Sequence, residues 1–183
     1  MKKIILLLSL ILPIVANAQK SPQFDELAGT FTLPETEKYV TLKFDCSETV
    51  FEKKYNEADW ILLIGEKEWE EAKQEAMERI VKMMNEKMTK TRLILVLENM
   101  AIPGNPELQP NFTLYIIPKM LYKNGRNVSQ FVLKDNNSNA ILGSIYIKGT
   151  GAHFGSLGNM LGDGYESSAP DVAKLLVKYN KRR

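Results

Sequence analysis

The sequence predicts an α+β fold: a mixed, mainly antiparallel sheet in the order β-α-β-β-β-β-α, with a long helix and a C-terminal helix packed on one face. Three observations predict it. Glu66 to Met88 repeats apolar residues at three- and four-residue steps over a length that only a long helix accommodates. Phe112 to Lys148 breaks into three alternating segments separated by turn signals, which makes an antiparallel meander. A strand-like segment on each side of the long helix completes a crossover, so those two strands should be parallel neighbours with a right-handed connection.

The first element is not part of the fold. Lys2 and Lys3 precede an apolar run from Ile4 to Val15, and Ala16-Asn17-Ala18 offers a small-x-small cleavage site, which together read as a secretory signal over residues 1–18. Twelve residues of helix reach roughly 18 Å, short of a hydrocarbon core of about 30 Å. No membrane span is therefore expected after cleavage, and the product is expected to be periplasmic or secreted. Residues 19–38, with Pro22, Gly29 and Pro34, read as an irregular leader in which Phe31 and Leu33 suggest a short edge strand. Residues 39–183 are then a single domain, long enough with the leader to bury about 70% of the unfolded surface.

Tyr39 to Cys46 alternates Val40, Leu42, Phe44 and Cys46 with polar residues, a half-buried strand. As the lone cysteine, Cys46 excludes an intrachain disulfide and reads as a small core residue. Trp60 to Ile64 is an apolar run of undecided type, strand or helical turn. In Glu66 to Met88 the stripe is Trp69, Ala72, Ala76, Ile80, Met83 and Met84, acids crowd the first turns, and Glu75–Arg79 and Glu78–Lys82 have ion-pair spacing. Strands follow at Arg92–Glu98, Phe112–Tyr122, Asn127–Lys134 and Ala140–Lys148. The intervening Met100 to Asn111 is a proline-rich loop, and Asn124-Gly125 marks a hairpin. Pro118 demands either an edge position or a bulge. Lys43, Thr113, Tyr115, Ser129 and Ser144 suit a wet outer face of the sheet, whereas Ile117, Leu133 and Leu142 do not.

Gly149 to Gly164 holds six glycines in sixteen residues, with Phe154, Leu157, Met160 and Leu161 at helical spacing. The last helix opens after Ser168, with Ser168-x-x-Asp171 resembling a capping box and Val172, Leu175, Leu176 and Tyr179 as its stripe.

Composition narrows function. The chain carries 24 Lys and Arg against 22 Asp and Glu, and removing Lys2 and Lys3 leaves 22 of each. A neutral mature chain lacks the footprint of nucleic-acid binding, and an anionic membrane has no evident reason to attract it. The glycine-rich segment is the one candidate site: Gly149, Gly151, His153, Phe154, Gly155, Asp163 and Glu166 form an expected ligand or partner surface. It is no dinucleotide fingerprint, because it ends an antiparallel meander and no parallel strand follows. No Gly-Lys-Ser/Thr is present, so no P-loop and no bound cofactor is expected. His153 with Asp163 and Glu166 has the composition of a metal or general-base site, yet no second His or Cys stands at ligand spacing. Ser156, Ser167 and Ser168 lack a nucleophile elbow. No catalytic and no metal-ligating residue is expected.

Asp59-Trp60, the Trp69 helix with Asn85, and Gly151-x-His153-Phe154-Gly155-Ser156-Leu157-x-Asn159-x-x-Gly162-Asp163-Gly164-x-Glu166-Ser167 resemble a family of small, uncharacterised exported proteins of Bacteroides-type bacteria. The similarity covers most of Tyr39 to Tyr179. It implies a periplasmic or cell-envelope setting and supplies no catalytic residues. The element order is also similar to small domains of envelope lipoproteins and curli-export-type assemblies, although no lipid-attachment Cys follows the cleavage site. The expected function is a soluble, non-enzymatic domain binding another envelope component through the glycine-rich segment or an exposed sheet edge. The alternative is a hydrolase or metal-dependent enzyme centred on His153, Asp163 and Glu166.

Overall fold

The computed structural model describes residues 27–98, 100–102, 104–152 and 154–181. The signal-like segment, the leader up to residue 26 and His153 lie outside the described residues. The fold is α+β. Its strands are β1 (Ala28–Gly29), β2 (Tyr39–Phe44), β3 (Val50–Phe51), β4 (Ile94–Leu97), β5 (Phe112–Leu121), β6 (Asn127–Asp135) and β7 (Ile141–Gly149). They join in one mixed sheet in the order β1-β7-β6-β5-β2-β4, with β3 paired to the far end of β5. The helices are α1 (Glu57–Ile64), α2 (Glu66–Lys87), α3 (Leu157–Glu166) and α4 (Ala169–Asn180).

The meander forms as its alternation requires: β5, β6 and β7 pair antiparallel, and Gly125 turns the first hairpin at φ +82°. β2 and β4 are parallel neighbours across α2, as the crossover predicts. The sheet also contains a parallel pair that local patterning does not announce, β2 with β5. Pro118 therefore sits on a central strand and takes the bulge, with the register shifting between Pro118 and Met120. Its missing N–H costs nothing there. It falls in the gap between the end of β2 and the start of β3 along the same side of β5, where its carbonyl accepts from Thr49 Oγ1 at 2.7 Å.

The undecided run Trp60 to Ile64 is helical. Asn56 Oδ1 accepts from the Asp59 N–H at 2.8 Å, which caps α1, and Gly65 at φ +96° breaks it from α2. Only Trp60 is buried; Leu62 and Leu63 face solvent. Trp60 stacks on Phe51 at 5.3 Å, and Phe51 meets the edge of Trp69 at 5.3 Å, forming a satellite core with Cys46, Ala72, Leu121, Leu157 and Leu161. Burial pushes the Cys46 thiol above its ordinary range, so the side chain behaves as a core residue.

The main core lies between one face of the sheet and α2, α3 and α4. Val40, Leu42, Leu95, Leu114, Ile116, Phe131 and Leu133 meet Ile80, Met84, Tyr165, Val172 and Leu176. Phe31 and Leu33 are buried here without forming a strand; the edge strand expected at them lies at Ala28–Gly29, paired to β7. Asn180 of α4 holds that segment down. Its Nδ2 donates to the Phe31 carbonyl at 2.6 Å and its Oδ1 accepts from the Leu33 N–H at 2.8 Å.

One face assignment needs correction. Leu133 points into the core, as its apolar side chain suits, but so does Ser129, because the odd-numbered residues of β6 face the helices. Ser129 tolerates burial by exchanging a 2.8 Å hydrogen bond with the Tyr165 hydroxyl and donating to Asn127 Oδ1 at 2.9 Å. Ser168 forms no capping box. It is buried in helical conformation between α3 and α4, and its hydroxyl donates to the Tyr165 carbonyl.

Candidate functional site

The glycine-rich segment is explained almost residue by residue by close packing. A Cβ on Gly158 would strike the Glu75 side chain and one on Gly162 the Arg79 side chain, so these two glycines let α3 lie against α2. A Cβ on Gly164 would meet the carbonyl of Gly125, and one on Gly149 would meet Gly164 and Asn127, so α3 also rests backbone-to-backbone on the β5–β6 hairpin. Gly151 packs against Asn124, whose carbonyl accepts from the Ala152 N–H at 2.7 Å. Phe154 does not belong to the apolar stripe of α3: it precedes the helix and is 88% exposed, beside Gly155 at φ +127°.

Asp163 and Glu166 converge on a cation. Arg79 Nη2 donates to Asp163 Oδ1 at 2.5 Å and to Glu166 Oε1 at 3.0 Å, while Nη1 donates to the Asn159 carbonyl at 3.0 Å. The Glu75–Arg79 pairing suggested by helical spacing is thus replaced, and Glu75 accepts instead from Ser156, the N-cap of α3, at 3.1 Å. These contacts fasten α3 to α2. Among the described residues no three His, Cys, Asp or Glu side chains cluster in a way that could hold a metal ion.

The sheet edge at β4 is closed where β-augmentation would need it. Asn85 of α2 acts as a substitute strand: its Oδ1 accepts from the Leu95 N–H at 2.8 Å and its Nδ2 donates to the Leu95 carbonyl at 2.9 Å. Thr91 Oγ1 accepts from the Leu93 N–H at 3.1 Å, and the Met100 N–H donates to the Leu97 carbonyl at 3.2 Å.

A larger concavity lies on the opposite, helix-free face. The chain steps outward from β2 to β4 through α2 and then back past β2 to reach β5. Two crossovers of the same hand taken in opposite directions run over opposite faces of a sheet. The described residues of the second connection, 98, 100–102 and 104–111, therefore form a strap across the helix-free face, and the prolines in its sequence disfavour a second covering helix. Between the strap and the side chains of Thr41, Lys43, Thr113 and Tyr115 is a groove of about 600 Å3, within the about 300–1,000 Å3 common for small-molecule sites.

The groove wall is held in place by side-chain amides. Asn136 Oδ1 accepts from Thr113 Oγ1 at 2.9 Å while its Nδ2 donates to the Pro110 carbonyl at 2.9 Å, and Asn111 links Glu37 to Asn137. Lys43 and Glu98 meet across the groove at 2.7 Å; this hydrogen bond raises the Lys43 pKa and leaves the pair without net charge. Thr41, Gln109 and Tyr115 line the groove with no side-chain hydrogen bond to the described residues. Their hydroxyls and carboxamide can both donate and accept. Val96, Met100, Pro106 and Leu108 supply apolar wall. Reading Met100 to Asn111 only as a loop that cannot pair missed this site; the available signal was its length and proline content between two strands.

No family model and no curated protein sequence matches the chain. Among solved structures it is similar to a PelC dodecamer from Paraburkholderia phytofirmans, at 12% identity and TM-score 0.41 over 86% of this chain and 98% of that one. It is also similar to a neuraminyllactose-binding hemagglutinin homolog from Helicobacter pylori, at 11% identity and TM-score 0.41 over 83% of this chain and 92% of that one. Likenesses this distant assign neither a family nor a role.

Proposed function

We propose that the chain is an exported, non-catalytic domain of the cell envelope that binds a neutral, polar ligand in the groove between the strap and the helix-free face of the sheet. The observation that carries this reading is the set of amphoteric groups, Thr41, Gln109 and Tyr115, that make no side-chain hydrogen bond to the described residues, in a groove whose Lys43–Glu98 ion pair cancels its own charge. A site built of hydroxyls and a carboxamide over an apolar wall suits a ligand rich in hydroxyl or amide groups and rejects an ion. The signal-like residues 1–18 and the similarity to exported proteins of Bacteroides-type bacteria support the envelope setting. The engagement of Asp163 and Glu166 by Arg79 supports a structural role for the glycine-rich segment.

The test is titration of the 15N-labelled protein with the small-solute fraction of an envelope extract. Amide shifts should cluster at Thr41, Glu98, Gln109, Asn111, Thr113 and Tyr115, vanish in a folded Thr41→Trp variant, and persist in His153→Ala. Shifts centred on residues 149–166, or shifts that survive filling of the groove, would overturn the assignment.

A further inference from the structure

The balance of charges in the whole chain conceals a local excess. Around the C-terminal end of α2 and the second half of α4, Lys87, Lys90, Lys174, Lys178 and Lys181 line one recess of about 400 Å3 whose other described lining residue is Val177. All five lysines are exposed. Asp171 holds Lys174 at 2.7 Å, and Lys178 stands 5.4 Å from the centre of the Tyr179 ring. Among the described residues no carboxylate pairs with Lys87, Lys90, Lys178 or Lys181.

Part of this arrangement has a local cause. Lys87 lies in the last turn of α2, Lys178 in the last turn of α4, and Lys181 is the C-cap of α4, so each offsets the negative end of a helix dipole. One cation per helix end would suffice. Five ammonium groups around one recess repel one another, and their summed field extends into solvent about a Debye length, roughly 8 Å at physiological salt.

We propose that this recess docks the protein on an anionic lipid bilayer. Among its described lining residues every cation is a lysine, a hydrated point charge on a flexible stem, and none offers a guanidinium fork to orient a single phosphate. The helix carbonyl ends behind the lysines disfavour an anion seated deep in the recess. The field is instead presented outward from the tips of mobile side chains, which suits a laterally averaged layer of headgroups. None of these residues lines the groove, so this inference stands apart from the ligand assignment.

Co-sedimentation of the protein, purified as the cell processes it, with phosphatidylglycerol-containing vesicles tests the proposal. Binding should occur at low salt, fall steeply as NaCl rises, and be absent with pure phosphatidylcholine. Each unpaired lysine changed to glutamine should weaken partitioning about fivefold, and Lys87→Gln, Lys90→Gln, Lys178→Gln and Lys181→Gln together by more than about a hundredfold. The control Lys53→Gln, Lys54→Gln, Lys67→Gln and Lys123→Gln removes as many exposed lysines elsewhere and should leave binding intact. Both variants are checked for an unchanged melting temperature. Equal binding to the two vesicle types, an equal loss in the control, or capture of soluble polyphosphate with no vesicle binding would each overturn the proposal.

Discussion

Replacing Arg79 with methionine separates a packing role from a chemical one for the glycine-rich segment. Methionine keeps the aliphatic volume that lies against Gly162 and removes the charge. Two ion pairs disappear, and both are solvent-screened: the Asp163 side chain is 33% exposed and Glu166 59%, so about 0.2–1 kcal/mol each is the appropriate scale. The Asn159 carbonyl also loses a charge-assisted donor, worth about 1 kcal/mol. The total is about 2 kcal/mol. For a domain of this size that corresponds to a fall in melting temperature of about 4–8 °C. Urea denaturation of wild type, Arg79→Met, Asp163→Asn and the double variant should show a coupling of about 0.5–1 kcal/mol between the two positions, while ligand-induced shifts in the groove stay as in wild type. A loss below about 0.5 kcal/mol with zero coupling would refute the view that α3 is fastened through Arg79.

Asn180→Ala leaves the buried Leu33 N–H and Phe31 carbonyl without partners, and at about 1–3 kcal/mol for each orphaned group the variant should lose about 3 kcal/mol in urea denaturation; a loss under about 1 kcal/mol would mean the segment before β2 is held by packing alone. The Lys43–Glu98 pair gives a pH dependence. A lysine whose pKa is raised in the folded state contributes stability that is complete below the unfolded value and lost as pH climbs through the folded one. With both side chains well exposed, Glu98→Gln should cost only a few tenths of a kcal/mol at pH 7, or about 0.3–0.8. That difference should fade once pH exceeds the raised Lys43 pKa, and a gap unchanged across the alkaline range would show the pair contributes nothing electrostatic.

The elements whose pattern is set by burial were legible in the sequence. The stripe of α2 is written by the sheet it covers, and the alternation of β5, β6 and β7 by the same core. Pro118 announced either an edge position or a bulge, because a missing N–H must be accommodated wherever the strand lies, and the structure takes the bulge. What was hidden depends on partners distant in the chain. Ser129 can point inward unpenalised because Tyr165, 36 residues later, brings a hydroxyl to meet it. Arg79 ignores the helical neighbour Glu75 for carboxylates more than 80 residues away. Glycines 158 and 162 read equally as a loop signature or a helix contact until α3 is seen against α2. The groove needed a fact that no local period contains, that β5 lies on the far side of β2. Likewise, a summed charge near zero said nothing about the five lysines that two helix ends bring together.

The strap contributes little to the main core. Ile102 is its buried apolar residue among those described, and the strands beneath it already pack on their other face. Substitutions or insertions in residues 98–111 would therefore reshape the groove while sparing the scaffold. Descendants of such a chain could vary the contour of this concavity one loop at a time, with inherited architecture and local relief evolving on separate schedules.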